Sequence, residues 1–193
     1  MSGSSTALPA TSVRHSLGIR WWPSALGLVF ALGVAFGLGT GFATIVLVCA
    51  VIYLLASVAG WPGAAWLGFA ASVPVIGIGR LLGAEWVSLG VTAALAVVLV
   101  VVGSVRRTWR IRDDRRQLVG VAIFGGIAVV AVAASAASPL VGGIIIAAGL
   151  LGHAGWDIVH HRRREVVTQP YAEFCAVLDV ALAVAVVVLL FVR

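Results

Sequence analysis

The sequence has no lysine, little charge of either sign and only two cysteines, and each scarcity excludes a class of protein. Charged residues make up 10% of the 193 positions, against about a quarter in soluble domains, which excludes a water-soluble globule. Two cysteines, Cys49 and Cys175, both inside apolar runs, exclude the dense disulfide framework of small secreted domains, so free thiols are expected. The thirteen basic residues are all arginines and give a net charge of +6. They stand in short clusters between apolar runs rather than on a soluble basic surface, so they read as topology signals and not as a nucleic-acid interface. What remains is 62% hydrophobic, with a mean hydropathy of +1.14, and that composition defines an integral membrane protein. Arginine without lysine in an Ala-, Gly- and Val-rich chain fits a GC-rich bacterial genome. The polar residues before the first apolar run are not expected to form a signal peptide, and that run is expected to be a retained helix.

A hydrocarbon core of about 30 Å takes about 20 apolar residues in a helix. On that rule the fold is all-α, a polytopic transmembrane bundle. Residues 1–23 form a polar cytoplasmic segment and residues 24–193 a single transmembrane domain. Seven spans are predicted, at Ser24–Gly39, Phe42–Ala59, Ala64–Leu82, Trp86–Val105, Leu118–Ala134, Pro139–His160 and Pro170–Phe191. Only "GLGTG" (Gly37 to Gly41) divides the first two, and six spans with these merged is the alternative. The arginines favour seven. Arg14 and Arg20, the segment Arg106 to Arg116, and the segment His160 to Glu165 then share one face, which is cytoplasmic by the positive-inside rule. A multi-pass protein of the inner (plasma) membrane is expected, N-terminus cytoplasmic and C-terminus outside, with only Arg80 and Arg193 on the outer side. The expected partner of the arginine-rich loops is the bilayer itself, through anionic headgroups; no protein partner is specified. Trp21, Trp22, Trp61, Trp66, Trp86 and Trp109 fall near span ends as interfacial anchors, and Gly33, Gly37 and Gly41 repeat at a spacing that lets helices approach closely.

The polar residues of the membrane part concentrate near the C-terminus. Ser138 followed by Pro139 reads as an N-cap with proline at the first helical position, and Gln169–Pro170 reads the same way. The sixth and seventh helices are then antiparallel neighbours, and residues at equal depth have numbers summing to 332, which opposes His153 to Asp179 and Asp157 to Cys175. At about 100° per residue, His153, Asp157, His160 and His161 share one side of the sixth helix, with Gly149 leaving space one turn deeper. Tyr171, Cys175 and Asp179 share one side of the seventh. Glu173 points elsewhere, as an acid in the first turn that complements the helix dipole. His153 and Asp179 lie about 12 Å inward from the connecting loop, where ionisable groups are costly and face a bundle interior or a watery cavity. Imidazole with carboxylate suits zinc or another transition metal. His153, Asp157 and His160 are the candidate ligands, with Asp179 as fourth ligand, outer-sphere orienter or catalytic base. A hydrogen-bonded clip between the two helices is the structural alternative.

Four histidines, three of them on one helix, are too few for the histidine boxes of membrane diiron enzymes and badly placed for a bis-histidine haem. The stretch "GHAGWDIVHHR" followed by "YAEFCAVLDVALA" resembles the C-terminal signature of small, uncharacterised multi-spanning membrane proteins from actinobacteria. Gly152, His153, Trp156, Asp157, His160 and His161, then Phe174, Cys175 and Asp179, carry the resemblance, which covers about a sixth of the chain and implies no activity. Three functional classes follow from the residues: a membrane-embedded metal-dependent enzyme such as a hydrolase, a small transporter or proton-coupled carrier, and a non-catalytic membrane subunit. No broken-helix pair or inverted repeat supports the carrier, which puts the enzyme reading ahead of it.

Overall fold

The computed structural model describes residues 21–38, 42–110 and 112–192. Among these the chain forms seven helices, α1 (Trp22–Leu38), α2 (Phe42–Ala59), α3 (Ala64–Leu81), α4 (Glu85–Val105), α5 (Arg112–Ala137), α6 (Pro139–Arg163) and α7 (Gln169–Val192), with a short 3₁₀ turn at Thr108–Arg110 and no strand. Six of them, α2 to α7, are long and apolar enough to cross a membrane. The seventh span expected at the N-terminal end is shorter. The 17 residues of α1 rise about 25 Å at 1.5 Å each, less than a full hydrocarbon core. The shortfall does not come from a merger, because α1 and α2 are separate helices.

Tight connections explain why the chain reverses so sharply. Gly83 has φ +62°, a left-handed conformation open to glycine without steric cost, and it lets α4 follow α3 after three residues. Ser138 caps α6 as expected, its side chain accepting from the Val141 amide with Pro139 at the first position. The helix start expected at Pro170 comes one residue earlier, so that Gln169 is itself helical and its amide nitrogen donates to the His161 carbonyl.

Polar contacts order the helix ends. Ser57 near the end of α2 donates to Asp114 at the start of α5, at 2.6 Å. Arg116 lies 3.6 Å from Glu165 across the α4–α5 and α6–α7 connections. Ser24 at the start of α1 donates to Glu173 near the start of α7, at 2.5 Å. The start of α1 and the two arginine-bearing connections therefore share one end of the bundle, and α1 runs parallel to α7. Arg80 sits at the other end, 3.8 Å from Glu85. Arg14, Arg20, Arg193 and the junction residues 39–41 lie outside the described residues.

The core forms around α2, which is buried along nearly its whole length because α3, α4, α5 and α6 all pack on it. The α6–α7 pair packs on one side and α1 lies on α7.

Three sequence expectations need correction. The Gly33 position faces open space, and the close helix approach occurs at Gly27 instead, where a Cβ would lie 2.6 Å from the Phe174 carbonyl oxygen. Glu173 is in the second turn of α7, so its partner is Ser24 and not the helix dipole. Trp66 is no simple interfacial anchor: it stacks on Trp22 with centroids 5.6 Å apart and packs edge-on against Tyr171 at 5.0 Å.

Candidate functional site

Where α2, α6 and α7 meet, five polar side chains form one buried chain of contacts. Asp179 Oδ2 accepts from His153 Nδ1 at 2.9 Å, and Asp179 Oδ1 accepts from the Cys49 thiol at 3.7 Å. Asp157 Oδ2 stands 3.4 Å from the same His153 Nδ1, and Asp157 Oδ1 accepts from the Tyr53 hydroxyl at 2.6 Å. His153, Asp157 and Asp179 are 0% exposed and Cys49 is 5% exposed.

Helix periodicity and close packing account for the convergence. His153 and Asp157 are one turn apart on α6, as Cys49 and Tyr53 are on α2, so each pair shares a helix face. Antiparallel pairing at constant sum opposes His153 to Asp179, and their hydrogen bond bears this out. Gly149 is the space predicted one turn deeper. Ile127 of α5 and Val46 of α2 fill it, lying 2.8 Å and 3.4 Å from where a Cβ would be. A larger residue there would push α6 away from α2.

His160 belongs to a neighbouring layer. Its Nδ1 faces the Trp156 carbonyl at 2.9 Å, an acceptor only, so Nδ1 carries the proton and Nε2 accepts from the Gln117 amide at 3.0 Å. Both ring nitrogens are thus engaged, which leaves no lone pair for an ion in this arrangement. The ring packs on Tyr53, with centroids 4.9 Å apart, and so helps to position the hydroxyl that serves Asp157. His161, expected on the same face, is half-buried beside Arg162 and Glu173 and takes no part in the cluster.

Cys49, Tyr53 and Gln117 are functional candidates that sequence reasoning missed. Cys49, Tyr53 and Ser57 recur every four residues along α2, a polar stripe on a helix whose other residues are apolar except Thr44, and that stripe was the available signal. Gln117, just inside the arginine cluster, gave none. Both cysteines are free, as expected.

The donor set has metal-binding chemistry. The Cys49 sulfur, a His153 ring nitrogen and an Asp179 oxygen lie within 4.8 Å of one another, and thiol, imidazole and carboxylate are the donor types that bind zinc at about 2.0–2.3 Å. Two buried polar atoms in the cluster have no hydrogen-bond partner among the described residues, Asp157 Oδ2 and His153 Nε2.

Fold and site together define a multi-helix membrane-type bundle with a buried thiol–imidazole–carboxylate group. No family model, curated protein or solved structure matches the chain.

Proposed function

We propose that this protein is a multi-pass membrane metalloprotein that holds one transition-metal ion, such as zinc, between Cys49, His153 and Asp179, with the fourth position left open beside Asp157. The observation that carries this reading is the convergence of sulfur, nitrogen and carboxylate donors from three helices at a fully buried point. Two carboxylates beside one imidazole are costly away from water unless their charge is compensated, and a divalent cation compensates both. Tyr53 holds Oδ1 of Asp157, and His160, itself held by Gln117, packs on Tyr53, an orienting layer of the kind that metal sites commonly have. Asp157 Oδ2 is the group placed to take a proton from water in a metal-assisted hydrolysis, a role that sequence reasoning gave to Asp179. Cys49 also forms part of a cavity wall, so the centre adjoins a space open to apolar molecules.

The same reading puts the arginine-bearing end in the cytoplasm, with α1 as a short seventh span and local bilayer thinning taking up its mismatch. The N-terminus is then cytoplasmic and the C-terminus outside. Arg106, Arg107, Arg110 and Arg162 to Arg164 then meet anionic headgroups at the inner leaflet. The resemblance of the C-terminal stretch to actinobacterial membrane proteins is consistent with this reading, because His153, Asp157 and Asp179 of that stretch belong to the cluster and His160 packs on Tyr53 beside it.

Elemental analysis of protein purified without chelator is the test. About one transition-metal ion per chain is expected, lost in Cys49→Ala and His153→Ala and retained in Cys175→Ala. Loading with Co(II) should give a thiolate-to-metal charge-transfer band that Cys49→Ala abolishes. A metal-free wild type whose Co(II) spectrum is unchanged by Cys49→Ala overturns the metal reading. With both variants then stable, the continuous path Cys49–Asp179–His153–Asp157–Tyr53 is a proton relay; with both unstable, it is a structural clip.

A further inference from the structure

Arg116 lies 3.6 Å from Glu165 and Arg80 lies 3.8 Å from Glu85, but a third arginine–glutamate neighbourhood stays open. Arg162 of α6 and Glu173 of α7 line one hollow together with His161, yet no ion pair joins them. Neither the Arg162 guanidinium nor the His161 ring has a partner among the described residues, and the Glu173 carboxylate takes one contact, at Oε1 from Ser24. Antiparallel pairing puts Glu173 three residues, about 4.5 Å, deeper than Arg162. Each Cα–Cβ bond tilts toward the N-terminus of its own helix, and α6 runs toward the arginine-bearing end while α7 runs away from it. Arg162 therefore leans inward and Glu173 outward, and opposite charges face the hollow from its two sides.

The hollow measures about 180 Å³, below the roughly 300 Å³ at which sites for whole drug-sized ligands begin, so it suits a small polar head. The rest of its wall is apolar, with Ile158 on α6 and Ala176 and Val177 on α7. Ile158 is exposed, and deeper along the same two helices so are Leu151, Val180 and Val184. A polar hollow at the arginine-bearing end thus leads into an apolar track on the outer surface of the α6–α7 pair, which is the outline of a lipid. The charges select its head. An anionic head would meet Arg162 but set a second negative charge beside Glu173, and a lone amine would leave Arg162 and His161 unused. Phosphate with a primary ammonium meets all three: phosphate oxygens accept from the guanidinium and the imidazole N–H, and the ammonium donates to the second oxygen of Glu173. A quaternary ammonium has no N–H to donate.

We infer that the hollow between the arginine-bearing ends of α6 and α7 binds one phospholipid of the ethanolamine class, its phosphate on Arg162 and His161, its ammonium on Glu173 and its chains along the outer surface of the two helices. The inference rests on the membrane reading of the bundle and requires neither the metal centre nor a choice of which face is cytoplasmic.

The test titrates the full-length chain, delipidated in detergent, with dioleoyl phosphatidylethanolamine, phosphatidylcholine and phosphatidylglycerol, and reads bound lipid by native mass spectrometry. One phosphatidylethanolamine should bind about tenfold more tightly than either of the others, the factor carried by one hydrogen bond between charged groups. Glu173→Gln keeps an oxygen for Ser24 but removes the charge, and should abolish the preference over phosphatidylcholine. Arg162→Gln should weaken both of those lipids about tenfold, and Ala176→Phe, which fills the hollow, should remove the tight site. Metal content of the same samples should stay that of wild type, so a metal-free protein would overturn the metal centre and leave the lipid result standing. Equal binding of phosphatidylcholine, or a preference that survives Glu173→Gln, overturns the ammonium assignment. Tightest binding of phosphatidylglycerol means general attraction to basic residues and overturns the site, as does affinity unchanged by both Arg162→Gln and Ala176→Phe. Displacement by free phosphoethanolamine as readily as by the lipid overturns the phospholipid in favour of the soluble head.

Discussion

His153 is the residue whose replacement tests most of the reasoning at once. Alanine there removes the ring whose Nδ1 lies 2.9 Å from Asp179 and 3.4 Å from Asp157, at a point where all three groups are 0% exposed. Breaking a buried ion pair by deleting one partner costs about 3–5 kcal/mol. Loss of ring packing against Phe124 at 4.8 Å and Tyr53 at 5.6 Å moves the value toward the upper end. For a chain of this size each kcal/mol shifts the melting temperature by about 2–4 °C, so His153→Ala should melt about 6–20 °C below wild type. Asparagine offers an amide N–H near the Nδ1 position and keeps a donor for Asp179, so His153→Asn should recover at least half of that loss. It should still lose the metal, because an amide nitrogen does not ligate it. Tryptophan-fluorescence melting in detergent, with elemental analysis of the same samples, reads both effects. An alanine variant melting within about 2 °C of wild type would refute the energetics of the buried cluster. An asparagine variant that keeps a full complement of metal would refute ligation through the ring.

Tyr53→Phe removes a hydrogen bond to a carboxylate, worth about 1.5–3 kcal/mol, and should lower the melting temperature without emptying the metal site; unchanged stability would mean that Asp157 does not rely on it. Gly27→Val forces α1 off α7 and should cost about 1–3 kcal/mol by overpacking, whereas Gly33→Ala, in open space, should cost nothing measurable; equal effects in thermal melts would contradict the assigned α1–α7 crossing. Reporter fusions should place residue 193 outside and the α4–α5 connection inside, and a cytoplasmic C-terminus would undo the seven-span topology.

Composition and periodicity alone were enough for the all-helical class, for helices long and apolar enough to cross a membrane, and for most helix boundaries from Phe42 to Phe191. Apolar run length is set by the bilayer, and caps such as Ser138–Pro139 act on their own backbone neighbours. The same local logic opposed His153 to Asp179, because two antiparallel helices joined by a short loop leave one register. Other features depended on contacts between residues far apart in the chain. Cys49 and Tyr53 join the cluster only because α2 is the helix on which α6 packs, a choice made by the fit of Val46 and Ile127 into the space at Gly149. His160 shares a helix face with His153, but Gln117 of α5 and the Trp156 carbonyl take both its ring nitrogens, and sequence spacing carries no trace of that. The cavity between α1, α2, α3 and α7 likewise belongs to the assembled bundle alone. Helix periodicity says which face a residue occupies; which other face it meets is decided by packing across the whole bundle.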